Sequence, residues 1–198
     1  MSGVPPSAAR VEDASSVLVL RPRSATVDDA GVKRALIDDP EAAGLVGISL
    51  SEQPAVWYDK WRGTLGCDPD TAAVVTTPEL AGDDDEDYVT VKTVTTPSNL
   101  TRIGVKTTPF LTRWDNPIVI VESLSVLCQY ADSQEVYKFL HVLTTQLRSS
   151  GGEAQVYLDP MVEDDRTVER LKGLFDSVIE YDPDEDSEDD WTVRRRRS

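Results

Sequence analysis

The feature that most constrains the fold is a short run of β-branched residues past the middle of the chain. Residues 118–121 are Ile-Val-Ile-Val; they follow Pro117 and stop at Glu122. Consecutive apolar residues without polar alternation predict a strand buried on both faces, as in the centre of a parallel sheet. Ligands of such sheets bind outside the carboxyl ends of the strands, so we expect any site to include Glu122 and Ser123.

Strand patterns alternate with helix patterns from residue 15 to residue 181. Further strands are predicted at 17–20, 45–50, 72–76, 154–158 and 175–181, with a weaker edge strand at 88–95. Predicted helices run from Asp28 or Asp29 to Ile37, from Ser51-Glu52-Gln53-Pro54 to Gly66, from Ser98 to a kink or end at Pro109, from Ser133 to Arg148, and from Asp164 or Asp165 onward. This alternation predicts an α/β fold with a doubly wound, mostly parallel sheet flanked by helices.

The two ends of the chain differ in composition from this central domain. Residues 1–14 are small, polar and proline-bearing, which predicts a flexible N-terminal tail. Residues 182–190 are almost all acidic, and arginine occupies every position from 194 to 197. Charge blocks of this density favour disorder, so we expect three parts: the tail 1–14, a domain over 15–181, and a disordered tail over 182–198.

The net charge narrows the classes of partner. The chain has 36 acidic and 20 basic residues, a net charge of −16, and only six lysines. This composition is typical of proteins from salt-rich cytoplasms; a mesophilic acidic protein is the alternative. The charge opposes general binding to nucleic acid or to anionic lipid. The exception is the run Arg194, Arg195, Arg196 and Arg197, which can contact phosphates.

Several residue patterns argue against other functions. No apolar run approaches the roughly 20 residues that cross a bilayer, and the N-terminus has no signal-peptide core, so we expect a cytoplasmic protein. Cys67 and Cys128 are predicted to be reduced thiols, with Cys128 in the core. The acidic stretch 81–87 lacks the ligand spacing of a calcium loop, and we predict no metal site. His141 is predicted to be structural, and Trp57 and Trp61 to lie in the core.

Two motifs resemble those of the RecA superfamily, and within it the KaiC-like ATPases. Residues 47–54, Gly-Ile-Ser-Leu-Ser-Glu-Gln-Pro, are similar to the family's second strand, which ends in paired glutamates before a proline. Residues 117–124 are similar to its Walker B strand, which ends in Asp-Ser. Segments 122–130, 139–143 and 158–160 further resemble a haloarchaeal family of shortened, degenerate members. The resemblance covers residues 15–181 and implies a RecA/KaiC-like fold.

The catalytic elements of that family are altered here. The turn 21–27 is Arg-Pro-Arg-Ser-Ala-Thr-Val and lacks the glycines and lysine of the phosphate-binding loop G-x-x-x-x-G-K-[ST]. Pro22 also removes an N–H donor. Ser51 replaces the first glutamate of the pair, and Glu122 replaces an aspartate with a side chain one methylene longer. We therefore predict no ATP hydrolysis, no catalytic residue and no cofactor.

The candidate site comprises polar residues at the predicted strand ends: Arg21, Arg23, Ser24, Glu52, Glu122, Ser123 and Asp159. Two interpretations stay open: the arginines bind an anion or a nucleotide phosphate, or they pair with the carboxylates and neutralise a relict pocket. The leading hypothesis is a non-catalytic regulatory or signalling accessory that acts through protein contacts, as a homo-oligomer or with an active paralogue. The rival hypothesis is a divergent nucleotide binder, or slow ATPase, that uses ATP and magnesium.

Overall fold

The computed structural model describes residues 14–22, 29–82, 88–182 and 190–195. Within these ranges, the strands are β1 Ser16–Leu20, β2 Gly44–Ile48, β3 Thr71–Thr76, β4 Thr90–Thr93, β5 Pro117–Val121, β6 Glu153–Leu158, β7 Ser177–Tyr181 and β8 Trp191–Arg195. The helices are α1 Ala30–Ala35, α2 Pro54–Leu65, α3 Pro78–Ala81, α4 Leu100–Arg113, α5 Leu124–Tyr130, α6 Ser133–Ser150 and α7 Asp165–Lys172. The sequence patterns predicted all of these elements except α3, α5 and β8.

The strands form one sheet in the order β4-β3-β2-β5-β6-β1-β7-β8. Every described pairing is parallel except that of β7 with β8. The predicted α/β fold with a mostly parallel sheet is therefore confirmed. Strand β5 lies between β2 and β6, and all five of its residues are buried. The prediction of a central strand was correct.

The core lies on both faces of this sheet, because side chains alternate along each strand. Val119 and Val121 of β5 face a cluster that includes residues of α4, α5, α6 and α7. Ile118 and Ile120 face a second cluster formed with α1 and α2. Helices therefore cover both faces, as the pattern of elements predicted.

Helix α4 departs from the prediction at its start, and of the two outcomes predicted at Pro109, a kink or an end, it does not end there. Its N-cap is Asn99 rather than Ser98, and the Asn99 side chain accepts a hydrogen bond from the N–H of Arg102 at 3.0 Å. The helix continues through Pro109 to Arg113 instead of ending there. Pro109 is exposed, so water can reach the carbonyl of Val105, which has lost its helical N–H partner.

The C-terminal prediction was wrong for Trp191–Arg195. These residues form β8, which pairs antiparallel with β7. Trp191 is buried and its ring packs edge-on against Tyr181, with centroids 5.2 Å apart. Packing of the apolar side chains and backbone hydrogen bonds to the open edge of β7 stabilise β8 by more than the charge of the neighbouring residues destabilises it. The rest of the predicted tails, at 1–13, 183–189 and 196–198, lies outside the described residues.

Candidate functional site

A cleft opens at the carboxyl ends of β1, β2, β5 and β6, with a volume of about 220 Å³. The sheet order places β2, β5, β6 and β1 side by side, so residues far apart in sequence meet at one edge. Lys60 of α2 and Tyr157 of β6 also line the cleft. Five of the seven predicted site residues lie in it: Arg21, Glu52, Glu122, Ser123 and Asp159. The other two, Arg23 and Ser24, lie outside the described residues.

A chain of alternating charges runs along one side of this cleft. Arg21 Nε lies 3.0 Å from Asp29 Oδ2. Lys33 Nζ lies 3.4 Å from the same Asp29 oxygen and 3.4 Å from Glu122 Oε1. The four side chains are only 11–21% exposed. We call Arg21, Asp29, Lys33 and Glu122 the ionic network; its two cations and two carboxylates cancel one another.

The contacts of Arg21 within the ionic network bear on its two interpretations, an anion ligand or a partner of the carboxylates. Arg21 is paired with the carboxylate of Asp29, which was not among the predicted acids. The cation that neutralises Glu122 is Lys33. Its position has a simple origin, because Asp29 and Lys33 are four residues apart at the start of α1 and share one helix face.

Aromatic rings enclose the Lys33 ammonium group. Its Nζ lies 5.2 Å from the ring centroid of Trp61 and 5.4 Å from that of Tyr157, both within cation–π range. The indole Nε1 of Trp61 donates a hydrogen bond to Glu122 Oε2 at 3.2 Å. Both carboxylate oxygens of Glu122 therefore have partners. Trp57 and Trp61 are buried, so their predicted place in the core is confirmed.

Tyr157 forms the floor beside the ionic network. Burial raises the pKa of Tyr157 well above its usual value; the carboxylates of Glu122 and Asp29 add to this effect, and Arg21 opposes it. The phenol therefore stays protonated at neutral pH. Its O–H donates to Gln155 Oε1 at 3.2 Å, so the group acts as a structural donor.

The other side of the cleft is acidic. Glu52 forms an ion pair with Lys60, whose side chain is 59% exposed. Glu52 Oε1 is buried and has no hydrogen-bond partner among the residues that the structure describes. Asp159 accepts a hydrogen bond from the N–H of Met161 at 2.9 Å. Among the described residues, three carboxylates (Glu52, Glu122 and Asp159) and two cations (Arg21 and Lys60) line the cleft, a balance that opposes binding of a polyphosphate.

Sequence reasoning missed Asp29, Lys33 and Lys60 as members of the site. The signal for the first two was present, since the predicted helix begins at Asp28 or Asp29 and carries a lysine one turn later. That spacing predicts an ion pair on the helix surface. It does not predict that the same ammonium reaches the end of β5, because that contact depends on how α1 packs on the sheet.

Other candidate groups lie away from the cleft. His141 is exposed on α6. Cys67 and Cys128 are free, and Cys128 is half-buried rather than fully in the core. Burial raises the pKa of Cys128 to about 12, and Glu163 adds to this rise. The thiol is therefore protonated at neutral pH and unsuited to nucleophilic attack.

The described residues give two further negative findings. No group of His, Cys, Asp and Glu among them has the arrangement of a metal site, although acidic residues 83–87 lie outside the described ranges. None of the helices in these ranges is long and apolar enough to cross a bilayer. Arg194 and Arg195 are exposed on β8, while Arg196 and Arg197 lie outside the described part of the chain. Nucleic-acid binding by this run stays a prediction.

Comparison with known proteins identifies a family. A family model matches residues 14–181, which is most of the chain. The protein belongs to DUF7504, a family of unknown function. No curated protein matches this DUF7504 chain.

Two solved structures from Pyrococcus horikoshii are similar to the DUF7504 chain. PH0250, from strain OT3, aligns with a TM-score of 0.55 and 14% identity, over 84% of this chain and 81% of that one. PH0321, an uncharacterized protein solved in complex with an unknown peptide, aligns with a TM-score of 0.50 and 10% identity, over 84% and 76% of the two chains. At these identities the likeness concerns the fold alone, an α/β fold with a mostly parallel sheet.

Proposed function

We propose that this chain is a non-catalytic, RecA/KaiC-like domain that acts through protein contacts as a regulatory or signalling accessory. The observation that carries the proposal is the state of Glu122, which stands at the Walker B position of the resemblance. Its two oxygens contact Lys33 Nζ and Trp61 Nε1, both from the chain itself. A carboxylate held in this way is not available as a magnesium ligand.

The shape and charge of the cleft support the same proposal. Small-molecule sites usually have volumes of about 300–1,000 Å³, and this cleft has about 220 Å³. A triphosphate also needs cations or a nest of N–H groups around its oxygens. Here Arg21 is already paired with Asp29, and Pro22 has no N–H to offer.

The chemical setting that we propose is a halophilic cytoplasm. A net charge of −16 with only six lysines keeps a protein solvated in concentrated salt. Under those conditions screened charges contribute little to association, so partners are held mainly by apolar contacts.

PH0321 was solved with a peptide bound. This motivates peptide or protein contact, rather than nucleotide turnover, as the retained role that we propose for this chain.

A thermal-shift titration with ATP and magnesium in molar potassium chloride tests the loss of the nucleotide site. We expect the melting temperature to stay constant. Ligand at 100 times its Kd would add about 2.7 kcal/mol, which corresponds to a rise of roughly 5–10 °C for a domain of this size. Five millimolar ATP would therefore reveal even a Kd of tens of micromolar.

The matched control is Glu122→Gln, which removes the charge at the centre of the site. A saturable rise in the melting temperature of the wild-type protein that disappears in this variant would overturn the proposal in favour of a divergent nucleotide binder. A rise that Glu122→Gln does not change would indicate binding away from the cleft. Size-exclusion chromatography in the same salt, alone and with cytoplasmic extract, measures whether the chain enters assemblies.

A further inference from the structure

Strand β4 forms one edge of the sheet, and its outer side has no neighbouring strand in the described ranges. The N–H of Val94, which directly follows β4, donates to the carbonyl of Thr76 on β3 at 2.8 Å. Backbone groups point to alternate sides along a strand, so those of Lys92 also face β3. The N–H and C=O groups of Val91 and Thr93 therefore point outward, and no described residue bonds to them. They are available to an added strand.

The two faces of this edge differ in chemistry, because side chains alternate along β4. Val91 packs against the cluster on the face of α1 and α2, where the ring of Tyr88 is 45% exposed and lies 4.9 Å from that of Tyr58. Val94 belongs to the cluster on the opposite face, which includes residues of α4. Lys92 lies two residues before Val94, so its exposed side chain is on the α4 face. One face of the edge is therefore apolar and the other cationic.

Helix α4 adds further cations to the same face. It carries Arg102, Lys106 and Arg113 and has no Asp or Glu. Gly104 faces α6, since a Cβ built on it would lie 3.9 Å from Phe139. At about 100° per residue, the three basic residues lie roughly 160–200° around the helix from Gly104. They therefore share the flank of α4 that faces away from α6, and we call them the basic stripe.

The flank that carries the basic stripe is the one nearer the β4 edge. Helix α4 packs on β2 and β3, whereas α6, on the same face of the sheet, packs on β6. In the strand order, β4 and β6 lie on opposite sides of β2 and β3. The stripe spans about 16 Å along the helix, and a four-residue strand such as β4 is about 13 Å long. Cations therefore accompany the open strand over its whole length.

The cations along this edge are not paired with carboxylates among the described residues. Neither Lys92 nor any residue of the basic stripe forms an ion pair there. By contrast, Lys33, Lys60 and Lys172 each have a carboxylate partner. In a chain with a net charge of −16, this edge is complementary to an acidic group from outside.

The charges oppose a second copy of the chain as the occupant. Pairing of β4 with β4 of another copy would bring Lys92 next to a second Lys92, and one basic stripe near another. Pairing with β8, the strand at the other edge, would bring Arg194 and Arg195, which are exposed on that strand. Like charges on paired strands are destabilising. The edge therefore favours a strand that carries carboxylates.

The acidic segment 83–87 of this chain precedes β4. It is joined to the strand through Tyr88, whose ring packs on Tyr58 of α2. That contact lies on the face opposite the basic stripe. The residue that connects the segment to β4 is therefore turned away from the stripe.

We infer that the β4 edge binds an extended, acidic segment of a partner protein, which adds a strand to the sheet. Its backbone would bond to Val91 and Thr93, as in other complexes formed by strand addition. Its side chains would alternate: apolar ones against Val91 and Tyr88, and carboxylates against Lys92 and the basic stripe. The inference rests on the proposed function, because it names the surface and the partner chemistry through which the protein contacts would be made.

Fluorescence anisotropy with matched probes tests the inference on the full chain. The first probe is a labelled peptide of about ten residues in which glutamate alternates with valine. The second has lysine in place of every glutamate, and the third is a single-stranded DNA of about ten nucleotides. Measurements are made in molar potassium chloride, where the screening length of about 3 Å suppresses repulsion of the acidic peptide by the net charge of the protein. We expect saturable binding of the acidic peptide alone.

A pair of proline variants tests the backbone contact. Thr93→Pro removes an outward N–H, at an edge position that accepts proline. It would leave a carbonyl of the added strand without a donor, and we expect binding to weaken about tenfold or more. The control is Val193→Pro at the other edge. The N–H of Val193 also points outward, because the N–H of Asp182 donates to Asp190 in the β7–β8 ladder.

A pair of charge variants tests the basic stripe. Arg102→Glu should weaken binding of the acidic peptide roughly threefold to fivefold. Lys138→Glu is the matched control, since Lys138 is an exposed cation on α6, beyond the opposite flank of α4, and should leave the affinity unchanged. The substituted side chains in both pairs are exposed or half-buried, so folding, checked by circular dichroism, should persist.

Three results would overturn the inference: no saturable binding of the acidic peptide up to about 1 mM, equal affinities of Thr93→Pro and Val193→Pro, or a preference of the wild type for the basic peptide. DNA binding that is lost in Arg102→Glu but kept in Thr93→Pro would assign the basic stripe to nucleic acid instead. A dimer in sedimentation that Thr93→Pro abolishes would assign the edge to a second copy. Peptide binding that appears only after the acids of segment 83–87 are replaced by their amides would assign it to that segment.

The ATP titration is independent of these outcomes. A melting shift with ATP would remove the proposed function while the peptide result stands, and the reverse is equally visible.

Discussion

Replacing Lys33 with methionine should destabilise the domain by about 3–5 kcal/mol, the range typical for removal of one partner from a buried ion pair. Lys33 Nζ lies 3.4 Å from a carboxylate oxygen of Asp29 and 3.4 Å from one of Glu122. At an effective dielectric constant of 20, each such pair contributes an attraction of about 5 kcal/mol before desolvation is subtracted. Methionine keeps the apolar stem against Trp61 and Tyr157, so the loss reports the charge.

Removal of the Lys33 charge affects the carboxylates of Asp29 and Glu122 unequally. In the variant, Asp29 keeps its ion pair with Arg21 at 3.0 Å, whereas Glu122 keeps only the hydrogen bond from Trp61 Nε1 at 3.2 Å. Glu122→Gln should therefore rescue Lys33→Met, because glutamine is uncharged and its carbonyl oxygen still accepts from the indole. We expect a coupling energy of about 1–3 kcal/mol between the two substitutions.

Urea unfolding in molar potassium chloride, followed by tryptophan fluorescence, gives the free energy of unfolding of the wild type, both single variants and the double variant. The control is Lys60→Met, since the Lys60 side chain is 59% exposed and its pair with Glu52 should contribute less than about 1 kcal/mol. If Lys33→Met costs no more than Lys60→Met, or if the double variant is simply additive, the ionic network does not hold the cleft in its present form.

Four further substitutions test the packing and titration of the domain. Gly47→Ala should destabilise the domain by about 1–3 kcal/mol, because the new Cβ would lie 2.6 Å from Cε2 of the buried Trp57. Its control is Gly63→Ala on α2, where the new Cβ meets no atom within 4 Å and should stabilise the domain. Equal melting temperatures of the two variants would contradict this prediction. Gly104→Ala should stabilise α4 by about 1 kcal/mol, since its Cβ would lie 3.9 Å from the nearest atom, Cε2 of Phe139; a lower melting temperature would refute it. Burial, aided by Asp38, raises the pKa of Glu153 to about 7. Between pH 4.5 and 7 the Glu153 carboxyl group is protonated in the native state but ionised in the unfolded state. The free energy of unfolding therefore falls as pH rises from about 4.5 to 7 and stays lower above that. Glu153→Gln should add about 1–2 kcal/mol at pH 8 and almost nothing at pH 4.5, after allowance for solvent screening; urea unfolding at the two pH values that gave equal differences would rule this out.

Local patterns were enough to predict most elements of the fold. The uninterrupted run 118–121 predicted a doubly buried strand, since only a central strand of a parallel sheet hides both sets of its alternating side chains. The start of α2 at Pro54 and its end at Gly66, which has a φ of 78°, were visible because capping chemistry acts within one turn. Strand β8 was missed, because a dense charge block usually favours disorder and the open edge of β7 cannot be seen in the sequence.

The candidate site likewise has features that the sequence predicts and features that only the tertiary structure shows. The chain's residues alone determine that the turn 21–27 lacks the glycines and lysine of a phosphate-binding loop, and that acids follow the predicted strands. Only the tertiary structure decides which cation meets which acid, and it brings Lys33 to Glu122, 89 residues away. In the same way, the basic residues of α4 form an ordinary helix pattern, and they lie beside an open strand only because α4 packs on β2 and β3. Periodicity and capping are properties of neighbouring residues, whereas ion pairs and the surroundings of a sheet edge depend on the order of strands and on the packing of helices across the sheet.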